Sequence, residues 1–217
     1  MRTLPPGQRR VDGFPRFGSH LSRPAPAVRA APVIAVGGAV REEFDLPLAK
    51  LSMLPRQEQL ADFHCVAGWS ATDLTWEGVP FGALYRAVLE PALRPGVTVT
   101  HIQCRGMDGW TSVLTLADAL GDDVLVAEHL DGEPLDGDHG APVRLVSPRQ
   151  YGYVSVKHLC RIDVLTSAPK LSEPFLLKTH PRGRVWEEER HGVLPTWLVR
   201  PLYRALVAPI RILSARR

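Results

Sequence analysis

Proline and glycine punctuate this chain too closely for long elements in its body, which limits the folds open to it. The first 32 residues carry Pro5, Pro6, Pro15, Pro24, Pro26 and Pro32; each fixes φ and removes a backbone donor, so residues 1–32 read as an extended arm. Val33 to Val36 is a β-branched run ending at Gly37-Gly38, and Glu43 to Leu46 alternates polar with apolar, which predicts a hairpin. Leu48 to Leu54 reads as a short helical turn, and Phe63 to Val66 leads into a glycine-containing loop. Val79 to Leu89 places Leu84, Val88 and Leu89 at helical spacing and stops at Pro91. Val97 to Cys104 alternates as a strand, GMDGWTS turns into a second strand, and Leu116 to Leu120 is a short helix. Val124 to Glu128, Val143 to Val146, Val154 to Val156 and Arg161 to Leu165 supply the remaining strand signals. Short elements of mixed type, without βαβ alternation, predict an α+β fold.

Of the 217 residues 45% are hydrophobic and 23% charged, enough for one substantial core without crosslinks. The net charge of +3 is uneven. Both ends are rich in arginine and the middle is acidic, a distribution that argues against a nucleic-acid partner. No apolar run approaches the roughly 20 residues of a spanning helix. Arg9-Arg10 is not followed by the apolar stretch of an export signal, so the expected location is cytoplasmic. Cys65, Cys104 and Cys160 form no C-x-x-C pair and read as free thiols.

Two segments carry candidate chemistry. Cys65, in ADFHCVAGWS, is either a buried structural thiol or a nucleophile served by His64, His139 or His158, and spacing selects none of these. HGAPVRLVSPRQYGYVSVKH, residues 139–158, sets Arg144 and Lys157 in an apolar context where both could bind phosphate. Lys157 is one of only four lysines against 22 arginines, so its placement there is selective. At the C-terminus, Arg200, Arg204 and Arg211 share one side of a helical wheel, opposite Val199, Leu202, Leu206, Ile210 and Leu213. This basic amphipathic helix either docks on its own domain or attaches to a membrane surface or partner through residues 197–217.

FHCVAGWS, TWEGVPF, DGWTS and HGAPVRLVSPRQYGYVSVKHL, in that order, resemble the molybdopterin-binding domain of the sulfite oxidase superfamily. The likeness is greatest to stand-alone bacterial members related to the catalytic subunit of protein-methionine-sulfoxide reductase. The resemblance covers about residues 33–165 and implies a mixed, β-rich sulfite-oxidase-type fold with short helices: an arm at 1–32, a catalytic domain at 33–168 and a basic tail at 169–217. It further implies molybdenum held by one pterin dithiolene, with Cys65 as the protein's metal ligand; a soft thiolate suits such a metal. The family's N-G-A-P-x-R matches His139 to Arg144, with histidine in place of asparagine, and its G-x-K matches Ser155, Val156 and Lys157, whose backbone and ammonium would hold the pterin phosphate. The cofactor-contacting strand falls at Cys104, with Gln103 as its neighbour. Trp69, His139, Tyr151 and Tyr153 are the candidate catalytic pocket residues beside Cys65.

Where sulfite oxidases carry C-A-G-N-R this chain has CVAGW, so sulfite is not the expected substrate. The expected reaction is two-electron oxygen-atom transfer on a small sulfoxide or similar oxo compound, with an external redox protein closing the cycle. The competing readings are a metal-free cysteine hydrolase built on Cys65 and a non-catalytic binding module.

Overall fold

In the computed structural model, residues 3–17, 23–169 and 179–215 are described. Part of the arm (18–22), the Pro174 boundary and the last two arginines lie outside them. Two β-sheets pack face to face, with short helices at their margins.

The first two long strands, β2 (Val33–Gly38) and β3 (Phe44–Pro47), follow a two-residue strand in the arm, β1 (Arg9–Arg10). They form the expected antiparallel hairpin, with Ile34 opposite Leu46. A 3-10 turn, Leu48–Met53, leads to β4 (Gln57–His64) and β5 (Trp69–Pro80). The chain continues through β6 (His101–Gly106), β7 (Thr111–Thr115), β8 (Leu125–Leu130), β9 (Glu133–Pro134), β10 (Arg144–Val146) and β11 (Leu159–Leu165). One sheet runs β3-β2-β11-β6-β7, parallel only between β2 and β11. The other runs β1-β5-β8-β10, with β4 paired to β5 and β9 to β8. In β11, Ile162 and Val164 point inward while Arg161 turns outward to Asp163 and Glu43, the period-2 alternation of a strand covered on one face, and a break in register between Leu159 and Arg161 lets Leu159 be buried too.

The sheet containing β5 is instead buried on both faces. Successive strand residues point oppositely, so Val126 and Leu145 enter the main core between the sheets, while Leu125, Ala127 and Val146 enter a second apolar cluster behind them. Val11, Phe14 and Phe17 of the arm and Tyr203 and Val207 of the tail close this second cluster. Burying a large apolar side chain is worth about 1.5–3 kcal/mol, so arm and tail are held by packing as well as by hydrogen bonds.

Several elements depart from the sequence expectation. The helix begins after Pro80: α1 (Phe81–Leu84) passes into a π turn, Tyr85–Leu89, and a 3-10 turn, Glu90–Ala92, that includes Pro91. Val79 belongs to β5. Val97 to Thr100 precedes β6 without joining it, and Gly96, at φ +74, makes the turn before it. Val154 to Val156 forms no strand; the Val154 and Ser155 N–H groups donate to the Tyr151 and Gly152 carbonyls three residues back. The short helix is α2 (Leu116–Ala119), capped by Thr115 Oγ1 accepting from the Asp118 N–H.

The tail helix α3 (Thr196–Ala215) holds Pro201 and Pro209 within it. Its packed face carries Val199, Tyr203, Val207 and Ile210, whose spacing of three and four marks one side of a helix. Arg200 is not part of a solvated arginine stripe, because it turns inward to Glu188. The wheel is therefore divided differently from the expectation: much of its apolar arc faces outward.

Candidate functional site

Cys65 lies in the tight connection between β4 and β5. Its N–H donates to the Trp69 carbonyl at 2.8 Å, and the Gly68 N–H returns to its carbonyl at 2.9 Å. Gly68 adopts φ +99, a region hostile to side chains. A Cβ there would also stand 3.1 Å from the Gly7 carbonyl of the arm. The thiol is buried and receives the Ala67 N–H at 3.5 Å. Burial pushes its pKa up to about 12, against the smaller lowering effects of that N–H, Arg190 and Lys157. A protonated, buried thiol is a poor free nucleophile.

None of the histidines proposed as its base is hydrogen-bonded to the Cys65 sulfur. His64 Nδ1 pairs with Ser70 Oγ at 2.8 Å, and burial lowers its pKa. His139 is held between Asp136 Oδ1 (2.8 Å) and the Phe14 carbonyl (2.9 Å). His158 Nδ1 donates to the Ala141 carbonyl at 2.6 Å. The arrangement does not build a cysteine-histidine hydrolase.

Beside the loop, β10 turns Arg144 into the second cluster, fully buried. Its Nη1 donates to the His139 carbonyl at 2.9 Å and Nη2 to the Ser155 carbonyl at 3.0 Å. Its guanidinium lies over the rings of Trp76 (5.2 Å), Phe63 (5.4 Å) and Phe14 (5.9 Å). Among the described residues no acidic side chain forms an ion pair with it, and burial depresses its pKa to about 9. Lys157 donates to the Asp138 carbonyl at 2.5 Å; burial, then Arg144 and Arg16, bring its pKa down to about 7. Lys157 also lines a cavity of about 380 Å³ together with Arg16, Arg23, Asp138, Trp110 and His158. The cations outnumber the carboxylates here: against Arg16, Arg23, Arg144, Lys157 and Arg190 stand Asp108 and Asp138 at the cavity and Glu188, with Asp138 facing Arg16 at 3.5 Å and Glu188 facing Arg190 at 3.4 Å.

Trp69 is buried among Phe14, Phe17 and Phe63, and its Nε1 has no acceptor. Tyr151 lies under the guanidinium of Arg190 at 5.1 Å, and burial raises its hydroxyl pKa to about 12. Tyr153 donates its hydroxyl proton to the His180 carbonyl at 2.7 Å and so is committed to the tail. The Ser155 and Val156 amides donate to the Gly152 and Val154 carbonyls at 3.2 and 2.9 Å, and Ser155 Oγ accepts the Ser147 N–H. These groups have partners within the chain, and Lys157 is the cation of that segment. Cys104 sits apart, fully buried in the main core on β6, where burial drives its pKa to about 12; Gln103 alternates to the opposite side of that strand.

Sequence reasoning missed the residues that close the site. Gln8 Nε2 donates to the Cys65 carbonyl at 3.1 Å. Arg190, fully buried, donates through Nη1 to the Val66 carbonyl and through Nη2 to the Pro6 carbonyl at 3.3 Å, while its Nε lacks an acceptor. Nothing in RVWEEER signals this role, and Phe14 and Phe17 of the arm were not singled out either. Among the described residues no group of three or more His, Cys, Asp or Glu could hold a metal alone. What the arrangement offers is one soft sulfur, three orphaned buried donors in Trp69 Nε1, the Tyr151 hydroxyl and Arg190 Nε, and a surplus of buried positive charge. A multiply anionic group that brings its own metal ligands fits that donor set.

The family model described as the oxidoreductase molybdopterin binding domain matches residues 24–172. The chain is similar to an uncharacterized oxidoreductase, YuiH, of Bacillus subtilis, with 33% identity over 72% of this chain and 76% of that one. It is also similar to the protein-methionine-sulfoxide reductase catalytic subunit MsrP of Xanthomonas axonopodis pv. citri, with 28% identity over 73% of this chain. The match covers 54% of that subunit, so this chain spans about half its length. The sulfane dehydrogenase SoxCD of Paracoccus pantotrophus shares the fold, with a TM-score of 0.59 at 20% identity over 73% of this chain and 43% of that one.

Proposed function

Because this chain belongs to the oxidoreductase molybdopterin binding domain family, and is on that ground a molybdopterin-dependent oxidoreductase, we propose that it transfers an oxygen atom to or from a small sulfoxide or similar oxo compound, with Cys65 as the one protein ligand of the metal. The observation that carries this reading is the buried positive charge around the Cys65 loop, for which the chain itself supplies too little negative charge. Arg144 and Lys157 hold the anionic pterin group, with Lys157 at its phosphate. When bound, the cofactor supplies a two-electron couple able to accept or release one oxygen atom.

The rest is the work of the chain. Cys65, whose thiol holds its proton as it stands, would bind the metal as the thiolate, since a coordinating thiol is deprotonated outright. Arg190 fixes the Val66 carbonyl and so the position of the sulfur. Trp69 offers its unpartnered Nε1 to an oxygen of the substrate, while Phe14 and Phe17 exclude water and favour an apolar thioether body over sulfite. Tyr151 keeps its phenolic proton at neutral pH and remains a donor. Reduction of a sulfoxide balances as R2SO with two electrons and two protons giving R2S and water; the electrons come from an external redox protein. A sulfoxide agrees with the name of the Xanthomonas relative and with the absence of the C-A-G-N-R arginine here.

The test is Cys65→Ser in a host that makes molybdopterin. The variant retains pterin through Arg144 and Lys157 but loses the visible thiolate-to-molybdenum absorption and turnover of an aryl methyl sulfoxide, whereas Cys104→Ser and Cys160→Ser keep both. An unchanged spectrum and turnover in Cys65→Ser would remove the ligand assignment.

A further inference from the structure

The outward side of α3 carries an unbroken apolar surface. Trp197 is 74% exposed, Ile212 57% and Leu202 55%, and Leu198, Leu206 and Leu213 are exposed with them. At 100° per residue these six, with Pro201, Ala205, Ala208 and Pro209 between them, cover about half of the helix circumference without one polar side chain. The packed side is separate, carried by Val199, Tyr203 and Val207. The exposed arginines of the helix, Arg204 and Arg211, stand together along one edge of the apolar half, Arg204 while also donating to the Gly7 carbonyl at 3.5 Å. Continuous exposed apolar surface of this kind marks an interaction site.

From this we infer that α3 is an interfacial anchor that lies flat on an anionic lipid surface, with the body of the protein behind it. Three observations select lipid as the occupant. The charge is complementary: the helix TWLVRPLYRALVAPIRILSA contains arginines and no acidic residue, so it attracts anionic headgroups. A second copy of the same face offers those arginines no counterion, and brings like charges together. The distribution is also that of an in-plane helix, with tryptophan and leucine on the membrane side and arginine at the boundary, where long cationic side chains reach headgroups while their stems stay in apolar surroundings. Finally, no helix of the described residues is long and apolar enough to cross a membrane, which agrees with lying on one. This inference does not depend on the cofactor or on the substrate.

The experiment is co-sedimentation of the full chain with phosphatidylcholine vesicles, with and without about 30 mol % phosphatidylglycerol. Two arginines near an anionic surface, each worth about fivefold, give anionic vesicles an advantage of about 25-fold that shrinks in high salt. The double variant Leu202→Glu with Leu206→Glu touches only the outward face and loses at least ~100-fold in vesicle affinity, with its melting midpoint within about 2 °C of the parent. The inference is overturned if neither vesicle sediments the protein, if the double variant sediments like the parent, or if binding ignores lipid charge. It is equally overturned if the parent is a dimer that the double variant converts to monomer, since a second copy then covers the face.

Discussion

Replacing Arg144 by methionine separates a structural arginine from one kept for a ligand. The guanidinium is fully buried without an acidic partner, and burial alone depresses its pKa from the ordinary 12.5 to about 9. At about 1.4 kcal/mol per unit, keeping it charged costs roughly 5 kcal/mol in the folded state. Against that stand two good bonds to the His139 and Ser155 carbonyls, each worth about 1.5–3 kcal/mol when the donor is charged. The two sums are comparable. Arg144→Met, of similar length and apolar, therefore changes the stability of cofactor-free protein by less than about 2 kcal/mol, where breaking a buried ion pair would cost about 3–5.

The folded pKa is lowered, so the penalty is complete below pH 9 and is relieved as pH rises toward 12.5. The parent thus gains stability relative to the variant only in that alkaline window. Retention of the pterin group behaves differently, because losing one or two charge-assisted bonds weakens it by at least about tenfold. The assay pairs urea unfolding of protein made without molybdopterin with molybdenum and pterin analysis of protein made with it. A variant that loses more than about 4 kcal/mol yet keeps full cofactor content would refute the reasoning and make Arg144 a backbone clamp.

Two further outcomes follow from the same charges. Lys157, held down to about 7 by burial and by Arg144 and Arg16, is protonated below neutrality and loses its proton above it; uptake of the pterin group by cofactor-free protein therefore weakens from pH 6 to pH 9, by up to about tenfold per unit beyond 7, and a flat profile, or one unaltered in Lys157→Met, contradicts this role. Arg190→Met removes the bonds to the Val66 and Pro6 carbonyls, so limited proteolysis cuts the arm and tail several-fold faster while the two sheets stay protected; equal cutting rates would show that the arginine holds nothing.

The hairpin at 33–47 and strands β8, β10 and β11 were legible in the sequence because their inward residues are β-branched or large and their turns carry glycine. Most of β4 was not, since Gln57, Glu58 and Gln59 are polar and carry no strand signal, and β5 was missed because Thr72, Asp73 and Glu77 interrupt its apolar run. Those polar residues are held by the sheet, with Asp73 at φ +61 accepting a side-chain bond from Arg10. Cys65, Arg144 and Lys157 stood out through motif order; Lys157 acts electrostatically on the Cys65 thiol, and Arg144 lies over the ring of Phe63, two residues before it. A helical wheel fixes the angles between residues but not which side docks, and that is decided by contacts remote in sequence, such as Arg200 with Glu188. Arg190 was illegible for the same reason: its partners are Val66 and Pro6, about 124 and 184 residues away.

Those remote contacts mean that the two ends of the chain meet over the Cys65 loop, Gln8 and Gly7 from one side, Arg190 and Arg204 from the other. A site roofed in this way has a history as well as a shape. The sheets can fold and the ligand can enter while the roof is open, and residues beyond 179 leave the ribosome only after the whole body has been made. Once arm and tail are latched, escape is timed by the opening of a few backbone hydrogen bonds and one buried guanidinium, and no longer by the contacts inside. Under the proposed function, residence time is then a property of the clasp as well as of the groups that hold the ligand, so a mutation at the latch shortens the working life of the loaded protein.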